Sequence, residues 1–151
     1  MDYSGVCSGE AKSLNATERN MEFVALYNDT LRLMIDRGVS CPRRAAIRFV
    51  IHNGSPRYYV SYKSAYEAVC KILRHGIVPS AASALRGEMY QEIACRVAML
   101  CDHAGMSIAA ATEFVLLHCR ARRFYITEEY ADTIIDRARR EYRKRKYRST
   151  H

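Results

Sequence analysis

Residues 48–66, RFVIHNGSPRYYVSYKSAY, and residues 113–131, EFVLLHCRARRFYITEEYA, state one pattern twice. Phe49-Val50-Ile51 answers Phe114-Val115-Leu116, and Arg57-Tyr58-Tyr59-Val60-Ser61 answers Arg123-Phe124-Tyr125-Ile126-Thr127. The offset is 65 residues before the intervening loop and 66 after it, so the second copy has gained one loop residue. Upstream, Gly38-Val39-Ser40 answers Gly105-Met106-Ser107, and Ala45-Ala46 answers Ala110-Ala111. Matches in one order predict a tandem duplication of a unit of about 65 residues, with the halves related by a pseudo-twofold axis. Each half alone would be marginal, because small units bury a small fraction of their surface. The expected organisation is therefore one compact domain over 17–138, built from repeats 17–76 and 86–138. A flexible N-terminal tail, 1–16, and a basic C-terminal tail, 139–151, flank it.

The fold class expected is mostly α, each unit reading helix, helix, short strand, helix. Thr17 is placed to cap a first helix whose apolar positions are Phe23, Val24, Tyr27, Leu31, Met34 and Ile35, and Gly38 stops it. Ser40 then caps a helix carrying Ala45, Ala46, Phe49 and Val50, with Pro42 in its first turn. The segment from Arg57 to Val60 is aromatic and β-branched, and Pro56 keeps Ser55 out of the helical region, so it reads as extended. Tyr58 and Val60 share one face of it, and Arg57 and Tyr59 the other. Phe124 stands where Tyr58 does, which makes that face the core. Ser61 caps a third helix with Ala65, Val69, Ile72 and Leu73 inside. Pro79-Ser80 can open a short turn between the halves. The second copy repeats the order. A helix over 88–103 buries Met89, Ile93, Val97 and Leu100. Ser107 caps one burying Phe114, Val115 and Leu117, and Thr127 caps one burying Ala131, Ile134, Ile135 and Ala138. A four-residue strand needs a partner for its amides. The two segments 57–60 and 123–126 are expected to pair as one short antiparallel ribbon.

Charge points to partners more than to chemistry. The net +8 is uneven: −1 over 1–20, +6 over 21–86, −3 over 87–138 and +6 over 139–151. Basic surfaces attract polyanions whatever their sequence, and they also keep proteins monodisperse. The glycine-x-serine joint of the first copy resembles a helix-turn-helix, whose second helix enters the major groove. That helix presents Arg43, Arg44 and Arg48, with Arg57 following, and arginine suits phosphate and guanine edges. An ordinary helical hairpin requires the same glycine and serine, and the second copy carries no equivalent basic set. Residues 137–148, RARREYRKRKYR, hold eight basic residues, one acidic residue and two tyrosines. Arg140, Arg143, Lys144, Arg145 and Lys146 are the expected backbone grip. The same run also suits an acidic protein groove or plain solvation. It suits a membrane poorly, because 139–148 lacks large aliphatic side chains.

No catalytic or metal motif stands out, so the expectation is a non-enzyme without cofactor or metal. The first residues have neither a basic start nor an apolar stretch, so no secretory signal is expected, and the six cysteines read as thiols. The segment Ser55-Pro56-Arg57-Tyr58-Tyr59-Val60-Ser61, echoed at 121–127, resembles a motif of short uncharacterised proteins of Bacteroidetes bacteria and their phages. That resemblance implies a phage or mobile-element setting, in the cytoplasm or in a virion, and no catalytic role. The function expected is non-catalytic nucleic-acid binding, mainly to the phosphate backbone. The alternative is a structural, adaptor or virion-associated protein acting through protein–protein contacts, as a homo-oligomer or with an acidic protein.

Overall fold

The computed structural model describes residues 8–79 and 83–150, with side chains from Leu14 onward. These residues form six helices and no strand. They are α1 (Ser8–Asp36), α2 (Pro42–His52), α3 (Tyr62–His75), α4 (Ala84–Ala104), α5 (Ile108–His118) and α6 (Glu128–Thr150). The chain divides into two compact units, and the division does not follow the sequence halves. Unit 1 is Met1–Thr17 with Ser55–Ala121, and unit 2 is Glu18–Gly54 with Arg122–His151. The expectation from sequence is one domain with repeats 17–76 and 86–138, and each of these two units draws on both halves. The third helix of the first half, α3, packs with α4 and α5, while α6 packs with α2.

Unit 1 is a three-helix core. Val69, Ile93, Val97, Ala111 and Val115 are fully buried, and Tyr58 and Val60 join them from the segment before α3. Each helix starts on a serine whose oxygen accepts an otherwise unpaired backbone N–H. Ser61 Oγ accepts from Ser64, Ser83 Oγ from Arg86, and Ser107 Oγ from Ala110, at 3.2, 3.2 and 3.1 Å. Gly105 ends α4 in the left-handed region, at φ 64°, where a side chain is strained. Buried Thr112 is satisfied by donating back to the Ile108 carbonyl at 2.7 Å.

Unit 2 is built round Phe23 and Tyr27 of α1. Phe23 meets Phe124 edge to face, with centroids 5.4 Å apart. Ile47, Val50 and Ile51 of α2 and Ile134 and Ile135 of α6 complete the core. Full burial of side chains of this size stabilises by about 1.5–3 kcal/mol each. Thr127 Oγ1 accepts from Tyr130 N at 3.1 Å and caps α6. Past α1, Val39 N donates to Met34 O and Gly38 N to Ile35 O, both at 3.0 Å, and this pattern terminates the helix.

Several expectations need correction. The two-stranded ribbon is absent, and the only pairing among the described residues is a single antiparallel bridge, Ser55↔Ala121, just upstream of the expected segments. Side chains already occupy the carbonyls that a ladder needs. Ser55 Oγ donates to Arg57 O, Arg57 Nη1 to Tyr58 O, Arg123 Nε to Phe124 O and Arg123 Nη2 to Ile126 O. The N-terminal tail is shorter than 1–16, because α1 already begins at Ser8, and 1–7 lie outside the described residues. The basic tail 139–151 is the end of α6 as far as Thr150. The turn expected at Pro79-Ser80 falls largely outside the described residues, since 80–82 are not described.

Ser40 is not a cap. Cys41 takes that place, left-handed at φ 50°, with no side-chain hydrogen bond. Phe49 and Phe114, expected inside, are 48% and 42% exposed, and Leu117 also faces outward. The buried positions of α5 are Ala111, Thr112 and Val115. A helix apolar on nearly every side gives periodicity no single face to choose. Ile35 is likewise exposed rather than in the α1 core.

These caps make a paired prediction. Thr127→Ala should cost about 1 kcal/mol in urea unfolding, whereas Ser40→Ala should change stability by less than about 0.5 kcal/mol. Cys41→Gly should stabilise by about 1 kcal/mol, because glycine carries no left-handed penalty. Equal losses at Thr127 and Ser40 would contradict this assignment.

Candidate functional site

The acidic first turns of α6 bind two of the three arginines of α2. Arg43 donates from Nε to Asp132 Oδ1 at 3.0 Å and from Nη2 to Asp136 Oδ1 at 3.1 Å. Arg48 Nε donates to Glu128 Oε1 at 2.9 Å. Glu128, Asp132 and Asp136 recur every four residues, which sets them on one helical face. That spacing is the sequence signal for these partners, and none of the expectations drawn from the sequence includes Asp132 or Asp136. Burial alone would lower the Arg43 pKa. Its hydrogen bonds to Asp136 and Asp132 outweigh burial and hold it above the ordinary value.

Two of the three arginines expected on a reading helix are therefore neutralised within the unit, and only Arg44 stands exposed without a partner among the described residues. Arg57 is also committed. Its Nη2 donates to Asn15 Oδ1 at 2.7 Å, and the guanidinium lies 4.7 Å from the Tyr59 ring centroid. Arg123 repeats that arrangement over Tyr125 at 5.7 Å.

The basic end of α6 is arranged differently. Every residue from 139 to 150 is helical and exposed, over a length of about 18 Å. At about 100° per residue, Lys146, Arg139, Arg143, Arg140, Lys144, Arg137 and Arg148 cover an arc of about 200°, and Arg145 lies outside it. Arg140, Arg143, Lys144, Arg145 and Lys146 thus sit together on one exposed helix, apart from the paired arginines of α2.

Two further constellations were not legible in the sequence. In unit 2 a cavity of about 630 Å³ is bounded by α1, α2 and α6, with Leu31, Ile35, Pro42 and Ile47 as its apolar wall. Arg43, Arg44, Arg139, Glu128, Glu129 and Asp132 supply its charges. Tyr27 also lines it, and its hydroxyl is buried without a hydrogen-bond partner. In unit 1 the Tyr58 hydroxyl is buried and equally unpartnered. Around it stand Glu92 and Arg96 of α4 and Cys119 at the end of α5. The charge of Glu92 opposes ionisation of the phenol, after burial itself. The guanidinium of Arg96 is lowered by burial but raised more by Tyr58, Cys119 and Glu92, so it titrates above its ordinary value. The five cysteines with described side chains are free thiols, and Cys7 lies outside them. None of these five is fully buried.

Among the described residues no single helix is long and apolar enough to cross a membrane, and α4 and α5 pass that test only as a pair bent by 119°. Compared with protein-family models, with curated proteins and with solved structures, the chain matches none.

Burial raises the pKa of both Tyr27 and Tyr58 above the ordinary 10.0. The unfolded chain then loses these protons first as pH rises. The stability they contribute is full below about pH 10 and declines above it, by at most about 1.4 kcal/mol per pH unit for each phenol. The double variant Tyr27→Phe/Tyr58→Phe should flatten the fall of urea-unfolding stability between about pH 9.5 and pH 11. At pH 7 it should be neutral or stabilising, because each substitution removes an unsatisfied buried hydroxyl. A loss above about 1 kcal/mol at pH 7 would show that these hydroxyls have partners.

Proposed function

We propose that the protein is a non-catalytic nucleic-acid-binding protein that grips the phosphate backbone through the basic end of α6. The observation that carries this reading is the exposed helix from 139 to 150 with its wide basic arc. A flat protein surface contacts one face of a helix. A major groove about 12 Å wide has phosphates on both sides and accepts a helix with cations around much of its circumference. Like charges held this close oppose the isolated helix, and a polyanion relieves that repulsion. The α2 arginines have a lesser part, because Arg43 and Arg48 already serve α6, and Arg44 alone is open.

We also infer that the chain is a tandem duplication in which the third helices have changed places. Supporting this are matched environments at matched positions. Tyr58 and Phe124 are both buried, as are Val60 and Ile126, and Ala65 and Ala131. Ser61 and Thr127 both cap, and Arg57 and Arg123 both donate to the next residue's carbonyl and lie over the tyrosine two positions on. Ser55 and Ala121, which bridge each other, are themselves 66 residues apart in the repeat register. The phage or mobile-element setting, cytoplasmic or virion, rests on the motif at 55–61 alone.

An adaptor or virion role through protein contacts is favoured by one observation: Phe114 and Leu117, one turn apart on α5, are both exposed. Such side chains suit a protein partner better than a phosphate backbone.

Fluorescence anisotropy with labelled duplex and single-stranded DNA tests the lead reading. Duplex affinity should fall at least about tenfold between about 50 and 200 mM salt and depend little on base sequence. Replacing Arg140, Arg143, Lys144, Arg145 and Lys146 by alanine should flatten the salt dependence by about 0.9 in log–log slope for each phosphate no longer neutralised. Arg44→Glu should have a small effect. No binding at about 50 mM salt would end the proposal. Loss of binding on Arg44→Glu, with the α6 substitutions silent, would move the interface to α2.

A further inference from the structure

We propose that the outward face of α5 is a self-association surface, on which a second copy of this chain docks antiparallel about a twofold axis. α5 carries two stripes. Ala111, Thr112 and Val115 form the one buried in unit 1. Ala110, Glu113, Phe114 and Leu117 are all exposed, and their spacing of three, four and seven sets them on one side of the helix. Phe114 and Leu117 lie one turn apart and are 42% and 69% exposed. A helix at the surface of a monomer needs one apolar stripe. A second with the same spacing fits a second helix, and the small side chain of Ala110 lets it approach.

Tyr62 of α3 extends this face. Its hydroxyl donates to the Ala109 carbonyl at 3.4 Å, and its ring stacks on Tyr66 with centroids 5.7 Å apart. Unit 2 carries different chemistry in the matching places. Tyr62, Tyr66 and Cys70 stand 66 residues before Glu128, Asp132 and Asp136, and Glu113 stands 65 after Arg48. In unit 2 those carboxylates close on Arg43 and Arg48. In unit 1 the places hold rings and a thiol, and Glu113 has no ion pair or hydrogen bond among the described residues. This comparison rests on the duplication inferred above, whereas the exposed stripe does not.

Charge decides the occupant. Arg120, just past α5, is exposed and likewise has no ion pair or hydrogen bond among the described residues. A twofold contact is isologous, so a residue that meets another is met by it in return. The midpoint of residues 114 and 117 lies one residue from that of residues 113 and 120. A single antiparallel register therefore sets Phe114 against Leu117 of a second copy and brings Arg120 to its Glu113, twice over. A parallel pair would set Glu113 against Glu113, and an acidic partner would meet the same repulsion. Unit 1 holds eight basic and seven acidic residues against sixteen and nine in unit 2, so two copies repel least through unit 1. The inference gives the protein-contact reading its surface and its partner, and it does not depend on nucleic-acid binding by α6.

Sedimentation equilibrium of the full chain, freed of nucleic acid, tests it. One helix face is smaller than a standard interface, so a dimer with a Kd of about 10–100 µM is expected. Leu117→Asp should weaken it at least about tenfold with the far-ultraviolet circular dichroism unchanged. Glu113→Arg and Arg120→Glu should each weaken it about fivefold, and the double variant should return to within about twofold of the parent, a rescue that general apolar adhesion does not produce. Alanine at Arg140, Arg143, Lys144, Arg145 and Lys146 should leave the dimer intact even where it abolishes DNA binding.

A chain that stays monomeric up to about 1 mM overturns the proposal, and the protein-contact reading then survives only with a different partner. It is also overturned if Leu117→Asp dimerises as tightly as the parent, or if the double charge exchange stays as weak as the single variants. Loss of the dimer on the α6 substitutions would place the contact on α6 and overturn it equally.

Discussion

The carbonyls of Arg57 and Tyr58 between α2 and α3, and of Phe124 and Ile126 between α5 and α6, accept hydrogen bonds from the chain's own nearby side chains. Arg57 and Arg123 donate to the backbone of the residue that follows each of them, and Ser55 donates to Arg57. A segment whose acceptors are met locally has no need of a neighbouring strand, and it can stay extended without belonging to a sheet. The chain leaves unit 2 at Gly54 and re-enters it at Arg122 through such segments.

Within unit 2 one helix has two electrostatic characters. The first turns of α6 are acidic, which suits the exposed amides of a helix N-terminus, and they hold α2 through Arg43 and Arg48. These are partly exposed pairs, so each contributes little stability, and their effect is mainly to set which face of α2 meets α6. Beyond Asp136 the same helix is basic and exposed to its end. Sequence segments that look like competing DNA-binding candidates are therefore unequal, since one set of arginines is held by carboxylates and the other stands in solvent.

Local features were legible from the sequence. Ser61, Ser107 and Thr127 cap helices as their spacing requires, Gly38 and Gly105 end helices, and the face holding Tyr58 and Phe124 is buried. Each of these depends on neighbours within a turn or two. Ser40 failed because the turn places Cys41, not Ser40, before α2. Phe114 and Leu117 failed because α5 is apolar nearly all round. The grouping of α6 with α2 and the Arg43–Asp132–Asp136 cluster were hidden because they join residues far apart in sequence, about ninety positions for the cluster, and periodicity carries no such information. The cavity at Tyr27 was hidden for the same reason, since three helices distant in sequence enclose it.

The division of the chain between the units also sets the order in which each is completed on the ribosome. The helices of unit 1, α3 to α5, form a continuous stretch of chain and have their partners as soon as α5 emerges. Unit 2 begins earlier and finishes last: α1 and α2 are made first, yet their cover, α6, is the final helix synthesised. About 70 residues separate Gly54 from that helix, a delay of roughly 4–14 s at ordinary translation rates. Through that interval the apolar faces around Phe23, Tyr27 and Ile47 wait for Phe124, Ile134 and Ile135. The nascent chain therefore exposes the half that was made first for longest.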